Sequence, residues 1–426
     1  MKRYYRLNTA ADKSLFEDYK ESYHGVCIGA HVFAYSENWI TAFLEELKKP
    51  FFIDPMTYFF NQNRDKLMKK GKIKKSFEKL LKKFYKNGLY EIIINENRNL
   101  LITDFMKTEY QYNDEFLKQF VSSSLNFQRR IAEHDTPSEE SVNEFLKEIF
   151  QKEITKIKPE FIVTPYFFIN NLQSKWYEIT KEITKTALSL KEDNEKIYSL
   201  LCISKSILND IKSIKTILED FIDVDGIIFW ISDFNEQHEN IADLKNFVKL
   251  VKTLSEKQII NLYGGLFSII SQKYGLNGVV SGICYSESKG AEDKPPEGGG
   301  FPMRYYIPQS KGKTVEANAR AYYEFNDIKT LCDCPVCSDH KENLDNSTSK
   351  KEFITNFMSQ ISIKQTKGHF ILNRQQEDLE IEQKTLDDCI EEIIRWIQQC
   401  KKTNCTRYEI NYEYLNRWLR VLKTSK

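Results

Sequence analysis

Eight short runs rich in apolar and β-branched residues recur along the chain, each followed by a longer polar stretch of helical period. That repetition confines the fold to a few parallel α/β architectures. The runs are VCIGA (26–30), FFID (51–54), FIVT (161–164), IYSLLCIS (197–204), GIIFWISD (226–233), QIINLYGG (258–265), GVVSGI (278–283) and MRYYIP (303–308). Between them lie helical candidates such as WITAFLEELKK (39–49), KWYEITKEITKTALSL (175–190), SILNDIKSIKTILEDF (206–221), ENIADLKNFVKLVKTLS (239–255) and GGLFSIISQKYG (264–275). A strand that is apolar on both sides of its pleat is one that helices cover on both faces. Eight of them predict an α/β chain of the (β/α)8 TIM-barrel type. A doubly wound open sheet is the alternative, because counting strands does not establish closure.

Two stretches interrupt the repeat. Residues 55–160 follow the second of these strands and are far too long for one crossover, so they read as a mainly helical insertion with a hairpin at YEIIINENRNLLITDF (90–105). Residues 284–302 form a loop before the last run, with glycines at 298–300 that lack the strand and helix context of a dinucleotide site. In a barrel both stretches project from the C-terminal rim, where the βα loops build active sites. The expected organisation is a barrel from 1–54 and 161–310, the insertion 55–160, a zinc-binding segment 311–375 and a helical tail 376–426. Hydrophobic residues make up 41 % of the chain, enough for a core, which excludes disorder throughout. No apolar run reaches the ~18 residues of a membrane-spanning helix. Nine cysteines, an odd number, predict reduced thiols in a cytoplasmic protein rather than a disulfide framework.

Three of those cysteines stand together in LCDCPVCSDH: Cys332, Cys334 and Cys337. Thiolates at C-x-C-x2-C spacing reach one ion, and zinc takes four N or S ligands in a tetrahedron. The segment is polar, with two Asp and a Pro interleaved, which is a poor setting for three buried thiols without a metal. The fourth ligand is His340, three residues on, or His369, 32 residues on at the start of an apparent helix. His369 is favoured, since it ties more chain to the cysteine loop. Four protein ligands would close the site and make the Zn2+ structural. His24, His31, His134 and His238 have no ligand spacing, and Cys400 and Cys405 read as ordinary thiols.

A (β/α)8 barrel with C-x-C-x2-C and a later helix-borne His resembles the tRNA-guanine transglycosylase family, including its branch that inserts 7-deazaguanines into DNA. FFIDPMTYFF (51–60) looks like that family's strand ending in a catalytic Asp, and Asp54 is the matching position. The resemblance implies a pentosyltransferase that exchanges guanine for a 7-deazaguanine base, with the zinc clip at Cys332, Cys334, Cys337 and His369. It spans roughly 51–60 and 200–375. Several positions depart from it. Pro55, Met56 and Thr57 replace Ser-Gly-Gly, and the base-binding glycines are matched only by Gly264 and Gly265, one unit late. Ser281 stands nearest the family's nucleophilic Asp, and a serine hydroxyl is a weak nucleophile without an adjacent base. Asp233, at the end of its strand, is the substitute carboxylate. Glycosidic cleavage passes through a cationic sugar, which calls for a carboxylate on one face and a proton donor at the leaving base. The other reading of Asp54 and Asp233 is that each caps the following helix.

The overall charge is +1, from 62 basic and 61 acidic residues, which excludes a uniformly basic nucleic-acid coat. It is not evenly spread. Between Arg64 and Lys86, eleven Lys or Arg less two acids (Asp65, Glu78) leave +9, so the remainder sums to about −8. Phe77, Leu80, Leu81, Phe84 and Tyr85 recur there at helical spacing. Such a block would anchor by its apolar side and meet phosphates with Lys69, Lys70, Lys72, Lys74, Lys75, Lys82 and Lys83. The expected partners are therefore DNA or tRNA, with DNA slightly favoured by the departures from the tRNA-type motifs, and no membrane. Assembly as a homodimer or as a partner subunit is open. The competing functions are a catalytically degenerate barrel that only binds nucleic acid, and a hydrolase for small nucleosides.

Overall fold

A computed structural model describes residues 1–7, 9, 12–84, 89–130, 157–283, 287–293, 303–326, 332–342 and 349–426, without the side chains of residues 340–342, 350 and 353. Its centre is a nearly closed parallel barrel of eight strands: β1 (Lys2–Leu7), β2 (Gly25–Gly29), β3 (Phe51–Asp54), β4 (Ile162–Val163), β5 (Ile197–Ile203), β6 (Gly226–Ile231), β7 (Gln258–Leu262) and β8 (Gly278–Ser281). Apart from β3 and β4, each strand pairs with its neighbour in sequence, and β8 returns to β1 through Lys2↔Gly278 to Tyr5↔Ser281. A two-residue strand, Phe168–Ile169, adds to the far end of β5.

The one interruption lies between β3 and β4, where the main chains share a hydrogen bond from Glu160 N to Phe51 O (2.8 Å). Val163 points its amide and carbonyl into this gap, and a buried polar pair of that kind must be satisfied. Gln128, near the end of the helix Asp114–Arg129, does so from both sides. Its Nε2 donates to Val163 O (2.8 Å) and its Oε1 accepts from Val163 N (2.9 Å). One side chain from the insertion thus takes the place of a strand-to-strand ladder.

The number of barrel strands matches the sequence expectation, but their membership does not. KRYYRL at the N-terminus is β1, and MRYYIP is no barrel strand: Arg304–Ile307 pairs antiparallel with Gly312–Val315. β1 carries two arginines, and Arg3 and Arg6 are both buried because each faces a carboxylate, Asp378 and Asp54 respectively. The insertion consequently follows the third strand rather than the second. Its hairpin is also displaced: 90–105 contains the helices Leu89–Ile94 and Ile102–Phe105, and the strands are Met106–Thr108 and Gln111–Tyr112. The glycines at 298–300, His134, Tyr85 and Lys86 lie outside the described residues.

Helices cover the barrel between strands, including Glu37–Leu47, Lys175–Ser189, Ile211–Asp220 and Ile241–Leu254. After the antiparallel pair come Glu316–Phe325, Pro335–Glu342, Lys350–Gln360 and the long helix Ile363–Gln383, then Leu386–Lys402 and Glu413–Thr424. The last helix docks on the barrel through Trp418, whose Nε1 donates to Glu236 O (2.9 Å) and whose ring lies 5.5 Å from Phe267. Among the described residues no helix is long and apolar enough to cross a membrane.

Candidate functional site

The C-terminal ends of the strands bring a charged pair and a ring of aromatics to one mouth. Asp54 ends β3 and is buried. Its Oδ2 accepts from Arg6 Nη1 (2.9 Å), and its Oδ1 accepts from the Tyr166 hydroxyl (2.8 Å) and from Met56 N (3.0 Å). Arg6 comes from β1 and its guanidinium also lies 5.0 Å from the Tyr263 ring. Around this pair stand Tyr58, Phe59, Trp230 and Tyr263, with ring centroids 4.8 Å apart for Tyr58 and Trp230 and 5.2 Å for Trp230 and Tyr263. Pro55 to Phe60 place Tyr58 and Phe59 here because the chain turns sharply after β3, with Met56 at φ +54° and a short 3-10 helix over Thr57–Asn61.

Lys289 enters this ring from the loop after β8. Its Nζ donates to the Tyr58 hydroxyl (2.6 Å) and lies 5.1–5.7 Å from the ring centroids of Tyr58, Phe59, Trp230 and Tyr263. Burial, with the positive charge of Arg6 beside it, pulls the amine down to about 7, against the opposing pull of Asp54. The loop that carries Lys289 is tied across the mouth. Lys289 O accepts from Trp230 Nε1 (2.9 Å) and Asp233 N (3.1 Å), Ala291 N donates to Ser232 Oγ (2.9 Å), and Gln62 and Lys66 donate to Ala291 O and Glu292 O. A Cβ at Gly290 would press on the carboxylates of Asp233 and Asp293, so a side chain there would have to displace them. His31, in the first turn of the helix after β2, stacks on Phe77 (5.1 Å, 8° between planes) and is held neutral, pushed down to about 3 by burial and by Arg6 and Lys289.

The other sequence candidates take different places. Asp233 is exposed at the same rim, with φ +60°, and its carboxylate accepts from Ser232 Oγ (2.8 Å). Ser281 is buried and donates to Gly264 O (2.6 Å). Gly264 and Gly265 precede the helix Leu266–Ile270, whose open N–H groups are occupied by a carboxylate of the chain itself. Glu236 accepts from Gly265 N (2.9 Å), Phe267 N (2.9 Å) and Ser268 N (3.2 Å). A Cβ on Gly264 would meet Asn261 and Ser268, so this turn requires glycine for close approach.

Of the basic block, Met68–Lys69 and Lys72–Ile73 form a hairpin turned by Lys70 and Gly71, both at positive φ. Lys69, Lys70, Lys72 and Lys75 are exposed. Lys74 is half-buried. On the helix Lys75–Phe84 the apolar face Phe77, Leu80, Leu81 and Phe84 is buried as its spacing predicted, while Lys82 pairs with Glu78 and Lys83 with Glu37. The hairpin therefore carries the exposed charge, and Lys66 at its base touches the loop over the mouth.

At the opposite end of the sequence Cys332, Cys334, Cys337 and His369 converge, with their ligand atoms all within 4.8 Å of one another. These four can hold a metal ion, and the donors fit zinc: sulfurs ~2.3 Å from a tetrahedral ion stand ~3.8 Å apart. His369 sits two turns inside its helix rather than at its start. Its Nδ1 faces Cys334 and Cys337 Sγ (3.3 Å each), and its Nε2 is 2.9 Å from Tyr306 O, the orienting contact expected of a metal-bound imidazole. Tyr305 stacks on the ring at 4.5 Å. From this helix Arg374 joins Glu377 (2.8 Å) and Glu287 (3.1 Å), linking the cysteine cluster to the loop that carries Lys289. Arg6, Glu236, Lys289 and Arg374 had no signal in spacing or motif; each acquires its role from a partner far away in sequence. Compared with known proteins, the chain matches no family model and no curated protein, so the meaning of the site rests on its own residues.

Proposed function

We propose that the chain is a transglycosylase-like enzyme that exchanges guanine for a 7-deazaguanine base in nucleic acid at the mouth of the barrel. The observation that carries this reading is the buried Asp54–Arg6 pair beside the aromatic ring of Tyr58, Phe59, Trp230 and Tyr263. Guanine offers an O6 acceptor next to N1–H and N2–H donors, and a guanidinium beside a carboxylate is the complementary set. Flat aromatic walls hold a flat heterocycle by stacking. Asp54 serves acid-base steps at the base, and Asp233 at the rim is the second carboxylate near the cationic sugar. Chemistry at a glycosidic bond requires the nucleotide to leave its stack. Exposed Lys69, Lys70, Lys72 and Lys75, with Lys74, would hold the phosphates flanking it; DNA is favoured slightly over tRNA. The Cys332, Cys334, Cys337 and His369 cluster would hold Zn2+ as a closed structural clip, which fixes the chain around it and takes no part in the reaction.

Trp230 is the natural reporter. Guanine or a 7-deazaguanine is expected to quench its fluorescence in a saturable way, adenine much less, and the response should vanish in Trp230→Phe. Equal quenching by guanine and adenine would contradict the reading. One observation favours a second reading, a degenerate barrel that binds nucleic acid without exchange: Lys289 fills the aromatic ring and Asp54 is fully partnered. On that reading guanine has no effect while salt-dependent nucleic-acid binding persists.

A further inference from the structure

The proposed exchange lacks a nucleophile in its expected place, since Ser281 is bonded to Gly264 O and Asp233 is exposed. Lys289 is the nucleophilic side chain aimed into the aromatic ring, and its backbone is fixed by Trp230, Asp233 and its neighbours' bonds to Ser232 and Gln62. We propose that Lys289 is the catalytic nucleophile, its amine attacking the sugar C1′ of an extruded guanine nucleotide and holding the sugar as an imine until a replacement heterocycle displaces it. This rests on the guanine-exchange reading and adds to it the covalent step.

An amine attacks only when neutral. The groups facing Lys289 are Arg6 from β1, His31 from the helix after β2, Asp54 from β3, Tyr58, Cys202 from β5, Tyr263 after β7 and Asp293 of its own loop. Burial and Arg6 oppose the charged form, and Asp54 and Asp293 oppose that effect without cancelling it. The four rings attract an ammonium, so a neutral amine there also frees the box for a flat base.

The step balances without an oxidant or reductant. The Nζ lone pair forms a bond to C1′ as the C1′–N9 bond breaks, its electron pair leaving with guanine, which takes up the proton the amine gives away. The nitrogen lone pair then expels O4′, which takes a proton, leaving a C1′ iminium and an open sugar. Return of O4′ to C1′ closes the ring. N9 of the incoming deazaguanine then attacks C1′ as its proton passes to Nζ, and Lys289 leaves as the free amine.

Incubating the full chain with guanine-containing DNA or tRNA and sodium borohydride tests this, because hydride converts the imine to a stable secondary amine. A one-to-one adduct that maps to Lys289 is expected, absent in both Lys289→Met and Lys289→Arg, with base exchange reduced at least about 1,000-fold in each. The methionine fills the apolar box and the arginine retains charge, so circular dichroism of the two separates lost chemistry from lost folding. Failure to trap an adduct, or an adduct on another residue, overturns the lysine. Exchange that proceeds without a trapped adduct overturns the lysine and leaves the guanine-exchange reading standing; loss of guanine quenching of Trp230 as well overturns both.

Discussion

Stripping metal from the cysteine cluster, or replacing Cys337 by Ser, is expected to unfold the segment from about 332 to 383 and lower the melting temperature of the whole chain. The argument starts from what holds that segment. Its helices are tied together by four ligands contributed across 38 residues, Cys332 to His369, beside the buried Ile354, Phe357, Met358 and Phe370. Structural zinc sites contribute on the order of 10 kcal/mol to folding. Unfolding entropy of ~2.1 cal/mol/K per residue makes each kcal/mol worth about 1 °C in a chain of this length, so a loss of roughly 5–10 °C is expected by calorimetry. About one zinc per chain should be released into a colorimetric chelator at the same time. Because His369 Nε2 is bonded to Tyr306 O, the antiparallel pair Arg304–Ile307 and Gly312–Val315 should lose amide protection with it.

Arg374→Ala should cost about 3–5 kcal/mol, the effect of breaking a buried pair by removing one partner. Arg374 is buried and holds Glu287 and Glu377, and it lies 5.1 Å from the Tyr306 ring. Burial pushes both carboxyls up; Lys311 and Arg374 for Glu377, and Lys313 and Arg374 for Glu287, more than offset it and hold them below the usual range. A depressed carboxyl contributes stability that is complete above its unfolded value and lost as pH falls through its folded one. In the native chain that loss lies in acid, below about 4.5. In Arg374→Ala the two carboxyls lose much of that charge stabilisation, so the deficit against the native chain should be largest above about pH 4.5 and shrink as pH falls below it. Denaturant midpoints measured from pH 4 to 8 would show it; a variant as stable as the native chain across that range would contradict the network's role.

What was legible in the sequence follows from how local the cause was. Seven of the eight apolar runs lie at barrel strands because a strand buried on both faces must be apolar whatever its neighbours are. KRYYRL escaped because its arginines are paid for by Asp54 and Asp378, and no local pattern announces a partner 48 or 375 residues away. MRYYIP was mistaken for a barrel strand because an antiparallel pair packed under the helix Ile363–Gln383 is equally apolar. The cysteine spacing called for a fourth ligand, and His369 converges with the three sulfurs. Asp54 could be singled out by the strand it ends, but its partner Arg6 and the lysine that faces it could not. Loop 287–293 was recognisable as rim, whereas the direction of Lys289 depends on bonds to Trp230, Ser232, Asp233 and Gln62.

The central claim is that a guanine is exchanged at the Asp54–Arg6 mouth. The direct measurement is incorporation of labelled guanine, and separately of a 7-deazaguanine, into DNA and into tRNA by the native chain and by Asp54→Asn, read by mass spectrometry of the released nucleosides. Incorporation by the native chain that falls at least about 100-fold in Asp54→Asn is the predicted result. No incorporation into either polymer, or incorporation that survives Asp54→Asn, would contradict it.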